Sequence, residues 1–277
     1  MKDSAFRPML FMHELSRQIR FSINPFLADE TVGFNSYASK PCGEGFSLYF
    51  ALWVKLAAEI DGQTGFVVNV VDIDKSVRRL AVPIFSERFK NKYANAQHVT
   101  LDDVQEILGQ AWGVIDEEFA FAKLTELAVE LNPFRKISIN SEDCTLAHIS
   151  EKFEFAAMHK LWNDLFSDEK NFEVFGKCAN PSGHGHNYIV EITVGKCAGG
   201  EGFSISEFEK TVSQEFIQIV DHKNLNADVA EFAVKNPTVE NITVLAWDKL
   251  NGKFAGAALE SVTVWESDRT CCTYCGI

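Results

Sequence analysis

ISEKFEFA at Ile149–Ala156 aligns with LSRQIRFS at Leu15–Ser22: an apolar residue, serine, two polar residues, an apolar residue, a charge, phenylalanine and a small residue. Two further blocks follow in the same order in both halves. VTLDDVQEILGQAW (Val99–Trp112) lies opposite PTVENITVLAWDKL (Pro237–Leu250), and KISINSED (Lys136–Asp143) lies opposite SVTVWESD (Ser261–Asp268). Three blocks in register predict two homologous domains, 1–147 and 148–277, with no Pro/Gly/Ser-rich linker between them. Within each copy the periodicity alternates. Ile19–Ile23, Phe153–Ala157 and Tyr188–Val194 read as strands, the last with Ile189, Glu191 and Thr193 opposite Val190, Ile192 and Val194. Ser206-Glu207-Phe208-Glu209 has the form of a capping box. Phe208, Val212, Phe216 and Ile219 then recur at helical spacing. Asn236-Pro237-Thr238 opens a second helix through Trp247, Val262–Trp265 reads as a strand, and a last strand is expected near Cys272–Ile277. The order strand, strand, helix, helix, strand predicts an α+β fold: two tandem domains, each an antiparallel sheet with two helices on one face. One segment conflicts internally. Leu48–Glu59 (LYFALWVKLAAE) suits a helix by propensity, yet its place in the repeat demands a strand.

Composition narrows the function classes. The 277 residues are 46% apolar, ample for a packed core, and 17 Gly with 7 Pro excludes a collagenous or low-complexity chain. No apolar run approaches the roughly 20 residues of a membrane span, so no membrane partner is expected. Charge interrupts the first twenty residues, MKDSAFRPMLFMHELSRQIR, every few positions, which argues against a secretory signal. The 39 acidic against 26 basic residues leave a net charge of −13 without a basic block, the opposite of a nucleic-acid-binding surface. Seven cysteines, an odd number, disfavour a disulfide framework and point to a cytoplasmic protein with reduced thiols.

The chemistry-bearing residues sit in the second half. His184-Gly185-His186 places two imidazoles at i and i+2, on one face of a strand, and His159 ends the first strand of the same copy. Alone, the His-Gly-His triplet is equally a turn with two solvated histidines. A third histidine at a strand end favours a three-imidazole zinc set with the fourth position open to substrate. Gly185 between them removes a side chain that would crowd a ligand. Cys178 precedes His184 by six residues across a turn-rich Ala-Asn-Pro-Ser-Gly spacer, so its thiol can fold back toward a metal and act as base or nucleophile. Asp221-His222 is a carboxylate–imidazole pair, a pattern more often a helix-end feature than a dyad. Glu266 follows the last strand and by residue type alone is a surface carboxylate.

FEFAAMH (Phe153–His159), FGKCANPSGHGHNY (Phe175–Tyr188), DHKNLN (Asp221–Asn226), PTVEN (Pro237–Asn241) and VTVWESD (Val262–Asp268) together resemble the 6-pyruvoyl-tetrahydropterin synthase family of tunnelling-fold (T-fold) enzymes. The resemblance covers nearly all of 148–277. It implies that His159, His184 and His186 bind Zn2+, and that Cys178 is the general base. It further implies that Asp221 and His222 complete a triad with that thiol, often contributed by a neighbouring subunit. Glu266 would anchor the pterin ring, with Thr238 and Glu240 lining the same pocket. The implied reaction is a lyase step on a small-molecule pterin triphosphate: 7,8-dihydroneopterin triphosphate to 6-pyruvoyl-tetrahydropterin with loss of triphosphate. Family members assemble through sheet edges, so a homo-oligomer with sites at domain or subunit interfaces is expected. Two alternatives stand beside this: 6-carboxy-tetrahydropterin synthase of the queuosine pathway, and a non-catalytic pterin- or zinc-binding protein. The five-residue spacing between Cys178 and His184 looks more like the pyruvoyl branch. Lys177 and Lys223 are candidates for the triphosphate by position only.

The first half keeps a T-fold-like stretch, TGFVVNVVDIDK (Thr64–Lys75), without the chemistry. Pro25 stands opposite His159, Gly43 and Gly45 of CGEGF opposite the two strand histidines, Pro83 and Ile84 opposite Asp221 and His222, and Ser141 opposite Glu266. An architectural role is expected, with a divergent binding pocket as the alternative. Cys271, Cys272 and Cys275 lack the second pair that a zinc ribbon needs and read as ordinary thiols.

Overall fold

In a computed structural model of the chain, residues 13–26, 47–197 and 202–276 are described. The CGEGF stretch, Asp3–Arg7, Asn35–Ser39 and Ile277 lie outside them. The chain divides into two compact units, Met1–Ala147 and His148–Ile277.

The first unit runs β1 (His13–Ile23), β2 (Leu48–Ala58), α1 (Val70–Ala94), α2 (Leu101–Glu118), β3 (Lys123–Glu130) and β4 (Arg135–Asn140), with an antiparallel sheet in the order β1-β2-β3-β4. β1 and β2 pair in full register, setting Ile19 opposite Leu52 and Phe21 opposite Phe50. Period-2 alternation then turns Phe50, Leu52, Val54 and Leu56 onto a core shared with Ile73, Val77 and Phe85 of α1 and Ile107, Leu108 and Ile115 of α2. This resolves the conflict over Leu48–Glu59 in favour of a strand. Burial of one alternating face outweighs the helix propensity of its Leu and Ala residues. The opposite face is polar and cross-linked: Trp53 Nε1 donates to Glu130 Oε1 at 3.0 Å, and Lys55 pairs with Glu126 at 3.2 Å. Both helices start at side-chain caps. Asn69 accepts from the Val71 amide, and Thr100 and Asp103 form a reciprocal capping box. Pro83 and Ile84 fall inside α1, which continues to Ala94, so they share no backbone setting with Asp221 and His222, which follow a helix end.

The second unit contains β5 (Leu146–His159), α3 (Asp168–Phe175), a 3-10 turn (Gly176–Ala179), β6 (His184–Cys197), α4 (Ile205–Val212), β7 (Lys223–Asn224), α5 (Val239–Leu250), β8 (Ala258–Ser267) and β9 (Thr270–Tyr274). β5, β6, β8 and β9 are successive neighbours in the sheet, and the two-residue β7 runs parallel along the end of β5. Phe155, Tyr188, Val190 and Ile192 of the sheet, Phe208, Val212 and Phe216 of the first helical segment, and Ile242 and Ala246 of α5 are all buried, and the Phe155 and Phe216 rings meet edge-on at 5.7 Å. The first helix is capped by Ser204, whose hydroxyl accepts from the Glu207 amide, not by Ser206 as its sequence pattern suggests. The helix therefore begins one residue before Ser206. Beyond Val212 the helix passes through a π turn (Ser213–Ile217) and a final turn (Gln218–Val220), then goes extended at Asp221. π turns recur near functional sites because they re-aim the residues that follow. No helix among the described residues is long and apolar enough to cross a membrane.

Candidate metal centre and active site

β5 and β6 are neighbours, so the last residue of one and the first residues of the other meet at one end of the sheet. That end brings His159, His184 and His186 together, with one ring nitrogen from each within 4.8 Å of the others. His159 Nε2 lies 3.1 Å from His184 Nε2. His159 is almost wholly buried, and its Nδ1 lies 2.7 Å from the Pro237 carbonyl. The carbonyl can only accept, so Nδ1 carries the hydrogen and Nε2 presents its lone pair to the other rings. His184 Nδ1 and His186 Nε2 are buried with no hydrogen-bond partner. A buried polar atom left this way costs about 1–3 kcal/mol. Neutral imidazoles with facing lone pairs at such distances fit a tetrahedral metal ion with three nitrogen ligands. Burial is the first cause that lowers the pKa of all three rings, which favours the neutral, ligating form.

The close backbone approach occurs at Gly183. Its φ is +70°, and an added Cβ would stand 3.0 Å from the His159 carbonyl oxygen. A Cβ on Gly185 would only touch the Ala157 carbonyl at 3.5 Å, an ordinary contact on β5 and not on the ligand side.

Glu266, at the end of β8, holds Oε1 3.5 Å from both His159 Nε2 and His186 Nε2. Cys178 sits half-buried in the 3-10 turn, tied to the chain after β5 by the Leu161 amide, which donates to its carbonyl at 2.9 Å. Burial raises its thiol pKa first and the Glu266 carboxylate raises it further, so Cys178 shares the field of the site. A cation among the histidines would act in the opposite direction and favour thiolate. Tyr188, two residues past His186, is fully buried and its hydroxyl has no partner. Sequence reasoning read it only as a strand residue; no pattern signals an unpaired hydroxyl.

Asp221 and His222 form a tight pair beside β5. Asp221 Oδ1 accepts from the Ala156 amide at 2.9 Å, and Oδ2 lies 2.8 Å from His222 Nδ1. These contacts hold the Asp221 carboxyl below its usual range, with the Ala156 amide the largest cause. The His222 amide donates to Ala156 O at 2.6 Å, pinning the residue at φ +55°, a left-handed conformation costly for a side chain with a Cβ. Its ring is largely exposed. His222, Lys223 and His186 line one open cleft of about 430 Å³ along Ala156–Met158. Among the described residues no hydrogen bond links Cys178 to this pair. The rest of DHKNLN holds the end of β5: Asn226 accepts from the Lys160 amide at 2.7 Å and donates to the Lys160 carbonyl at 2.9 Å, clamping the residue next to His159.

PTVEN also acts on His159. Thr238 caps α5 by accepting from the Asn241 amide, and Asn236 Oδ1 accepts from the Trp162 amide at 2.9 Å. Together they fix the Pro237 carbonyl that orients His159. Glu240 is exposed in the first turn of α5, and Lys177 is exposed in the 3-10 turn. The six described cysteines are free, and the three in the tail gather no metal-ligating group around them. Among the described residues the three histidines are the sole such group.

Comparison with known proteins bears on the same half. The family model described as 6-pyruvoyl tetrahydropterin synthase matches residues 148–276. The 6-pyruvoyl tetrahydrobiopterin synthase of Homo sapiens is 40% identical over 133 residues, 47% of this chain and 92% of the relative. That of Poecilia reticulata is 37% identical over 134 residues, 47% of this chain and 91% of the relative. The solved 6-pyruvoyl tetrahydropterin synthase of Caenorhabditis elegans is 31% identical, covering 48% of this chain and 96% of its own, with a TM-score of 0.44. Through its second unit, the chain belongs to the 6-pyruvoyl tetrahydropterin synthase family.

Proposed function

We propose that residues 148–277 convert 7,8-dihydroneopterin triphosphate to 6-pyruvoyl-tetrahydropterin with release of triphosphate, in a zinc-dependent lyase reaction. The observation that carries the reading is the convergence of three imidazoles, one buried and two half-buried, near Glu266, whose field also reaches Cys178. His159, His184 and His186 hold the zinc, which supplies a Lewis acid that acidifies C–H bonds next to the substrate's side-chain oxygens. Cys178 takes and returns the carbon-bound proton. Asp221 keeps the His222 imidazole oriented so that it can restore the protonation state of the thiol. Because no bond joins His222 to Cys178 among the described residues, we assign that contact to the assembled homo-oligomer. Glu266 accepts two parallel N–H bonds from the pterin ring edge, and Thr238 and Glu240 flank the same pocket. Lys223, on the cleft with His222, is the better placed lysine for the phosphates.

We assign residues 1–147 an architectural role, since their positions opposite the site residues carry no ligand or base, and we place the protein in the cytoplasm. Residues 148–277 expressed alone should then be a poor enzyme; a fully active fragment would return the first unit to a binding or regulatory role. The reaction itself is tested by turnover of the triphosphate substrate. The zinc-loaded chain should release triphosphate, and Cys178→Ala should keep zinc yet lose most turnover. Near-normal turnover by that variant removes Cys178 from the mechanism.

A further inference from the structure

Among the described residues, three side chains have buried polar atoms without a hydrogen-bond partner, and all three meet at one place: His184, His186 and Tyr188. They stand at i, i+2 and i+4 along the start of β6 and share one face. The histidine nitrogens are accounted for as metal ligands or their second ring atoms. The Tyr188 hydroxyl is not. Its ring stacks on Phe155 at 4.8 Å and 8° between planes, and meets His186 edge-on at 5.5 Å, so the hydroxyl cannot swing away to find a partner. A phenylalanine would keep that packing without the cost of an unpaired hydroxyl, so the group is retained for something that arrives with a ligand. Its ring centroid lies 5.5 Å from that of His186 and 6.4 Å from that of His159, so Tyr188 stands beside the three-histidine cluster. A phenolic hydroxyl is protonated at neutral pH, so it is available there as a donor.

We propose that the Tyr188 hydroxyl donates a hydrogen bond to the substrate oxygen on which negative charge develops during proton removal, which makes Tyr188 a catalytic residue. The inference rests on the reaction proposed above. The side chain carries hydroxyls, so a ketone forms first by internal tautomerisation: the C1′ proton leaves, its electron pair forms C1′=C6, the C6=N5 pair takes a proton at N5, and the resulting enol moves its O–H proton to C6 to leave a C1′ ketone. In the step that follows, the Cys178 thiolate takes the proton from C2′, next to that ketone: the C–H bond breaks and an S–H bond forms. The C–H electron pair becomes a C=C bond, and the carbonyl π pair moves onto oxygen. Tyr188 keeps its proton throughout and stabilises that oxygen only while it is charged. Return of the electron pair then expels triphosphate. A preorganised donor in a water-excluded site acts chiefly on the rate, not on ground-state binding.

The test is Tyr188→Phe in the zinc-loaded full chain, which removes one oxygen and leaves the stack on Phe155. The single-turnover rate at saturating substrate should fall about 100-fold, with KM within about threefold, zinc content unchanged and thermal midpoint equal or higher. In a Cys178→Ala background, adding Tyr188→Phe should leave the substrate Kd unchanged. A wild-type rate in Tyr188→Phe would mean that the hydroxyl serves only a buried water, and would overturn the proposal. So would a raised KM at unchanged rate, or loss of zinc. Failure of the wild-type protein to turn over the substrate would overturn the proposed function and this role with it, whereas the first result overturns the Tyr188 role alone.

Discussion

Gly183→Ala tests how the metal strand ends are held together, and Gly252→Ala supplies its control. Both glycines are left-handed, at φ +70° and +74°, so alanine costs about 1–2 kcal/mol of backbone strain at either position. Around Gly252 nothing lies within 4 Å of the added Cβ, and the cost ends there. At Gly183 the Cβ arrives 3.0 Å from the His159 carbonyl oxygen and 3.0 Å from Met158 Cε. The methionine methyl can move aside cheaply. The carbonyl belongs to His159, whose ring is held by the Pro237 carbonyl and whose neighbour Lys160 is clamped by Asn226, so relieving the contact adds about 1–3 kcal/mol of overpacking. At about 3 °C per kcal/mol for a chain of this size, Gly252→Ala should lower the melting midpoint by about 3–6 °C and Gly183→Ala by about 6–15 °C. Because the displaced backbone carries His159, Gly183→Ala should also weaken zinc binding, whereas Gly252→Ala should leave it unchanged. Differential scanning calorimetry of the metal-free chains and zinc titration against a competing chelator read both effects. Equal midpoints and equal zinc affinities for the two variants would refute the reasoning.

The zinc content of the purified chain should be about one ion per chain, and His184→Ala or His186→Ala should lose it together with activity; two tightly held ions would reveal a site in the first unit. Glu266→Gln should raise KM by about 100-fold, the loss of roughly 3 kcal/mol of charge-assisted bonding; an unchanged KM in steady-state kinetics would dissociate Glu266 from ring binding. The metal-free protein should lose stability as pH falls below about 6.5, since its three clustered imidazoles, one buried and two half-buried, bind protons less readily than in the unfolded chain, where the ordinary histidine value applies. The contribution is complete above that value and disappears through the lowered folded pKa values, a window separate from the acid loss expected for Asp221 below about pH 4. Melting curves that rise as pH drops from 7 to 5.5 would contradict this.

Much of this architecture is readable in the residues, for identifiable reasons. Strands betray themselves where one face is buried, as in Tyr188–Val194, because the period of two leaves no freedom of register. Leu48–Glu59 resists reading alone because Leu, Ala and Lys favour a helix locally, and only tertiary burial of Phe50, Leu52, Val54 and Leu56 decides the matter. The cap at Ser204 is hidden by an equally good pattern two residues later. The convergence of the three histidines is legible because i and i+2 on a strand leave the two rings one shared direction. Residues whose contribution is a carbonyl or a cap are not: the Pro237 oxygen that orients His159, Thr238 as a helix cap and Asn226 as a clamp on Lys160 depend on chain segments far apart in sequence. His222 in a left-handed conformation follows from two contacts to Ala156 that no local signal announces.

The central claim is that the second unit is a zinc-dependent pterin lyase of the pyruvoyl type. Incubating the pure, zinc-loaded full chain with 7,8-dihydroneopterin triphosphate and identifying the pterin product by mass spectrometry tests it most directly. The account predicts 6-pyruvoyl-tetrahydropterin and one triphosphate released per pterin consumed. Recovery of unchanged substrate, or of 6-carboxy-tetrahydropterin as the main product, would contradict it.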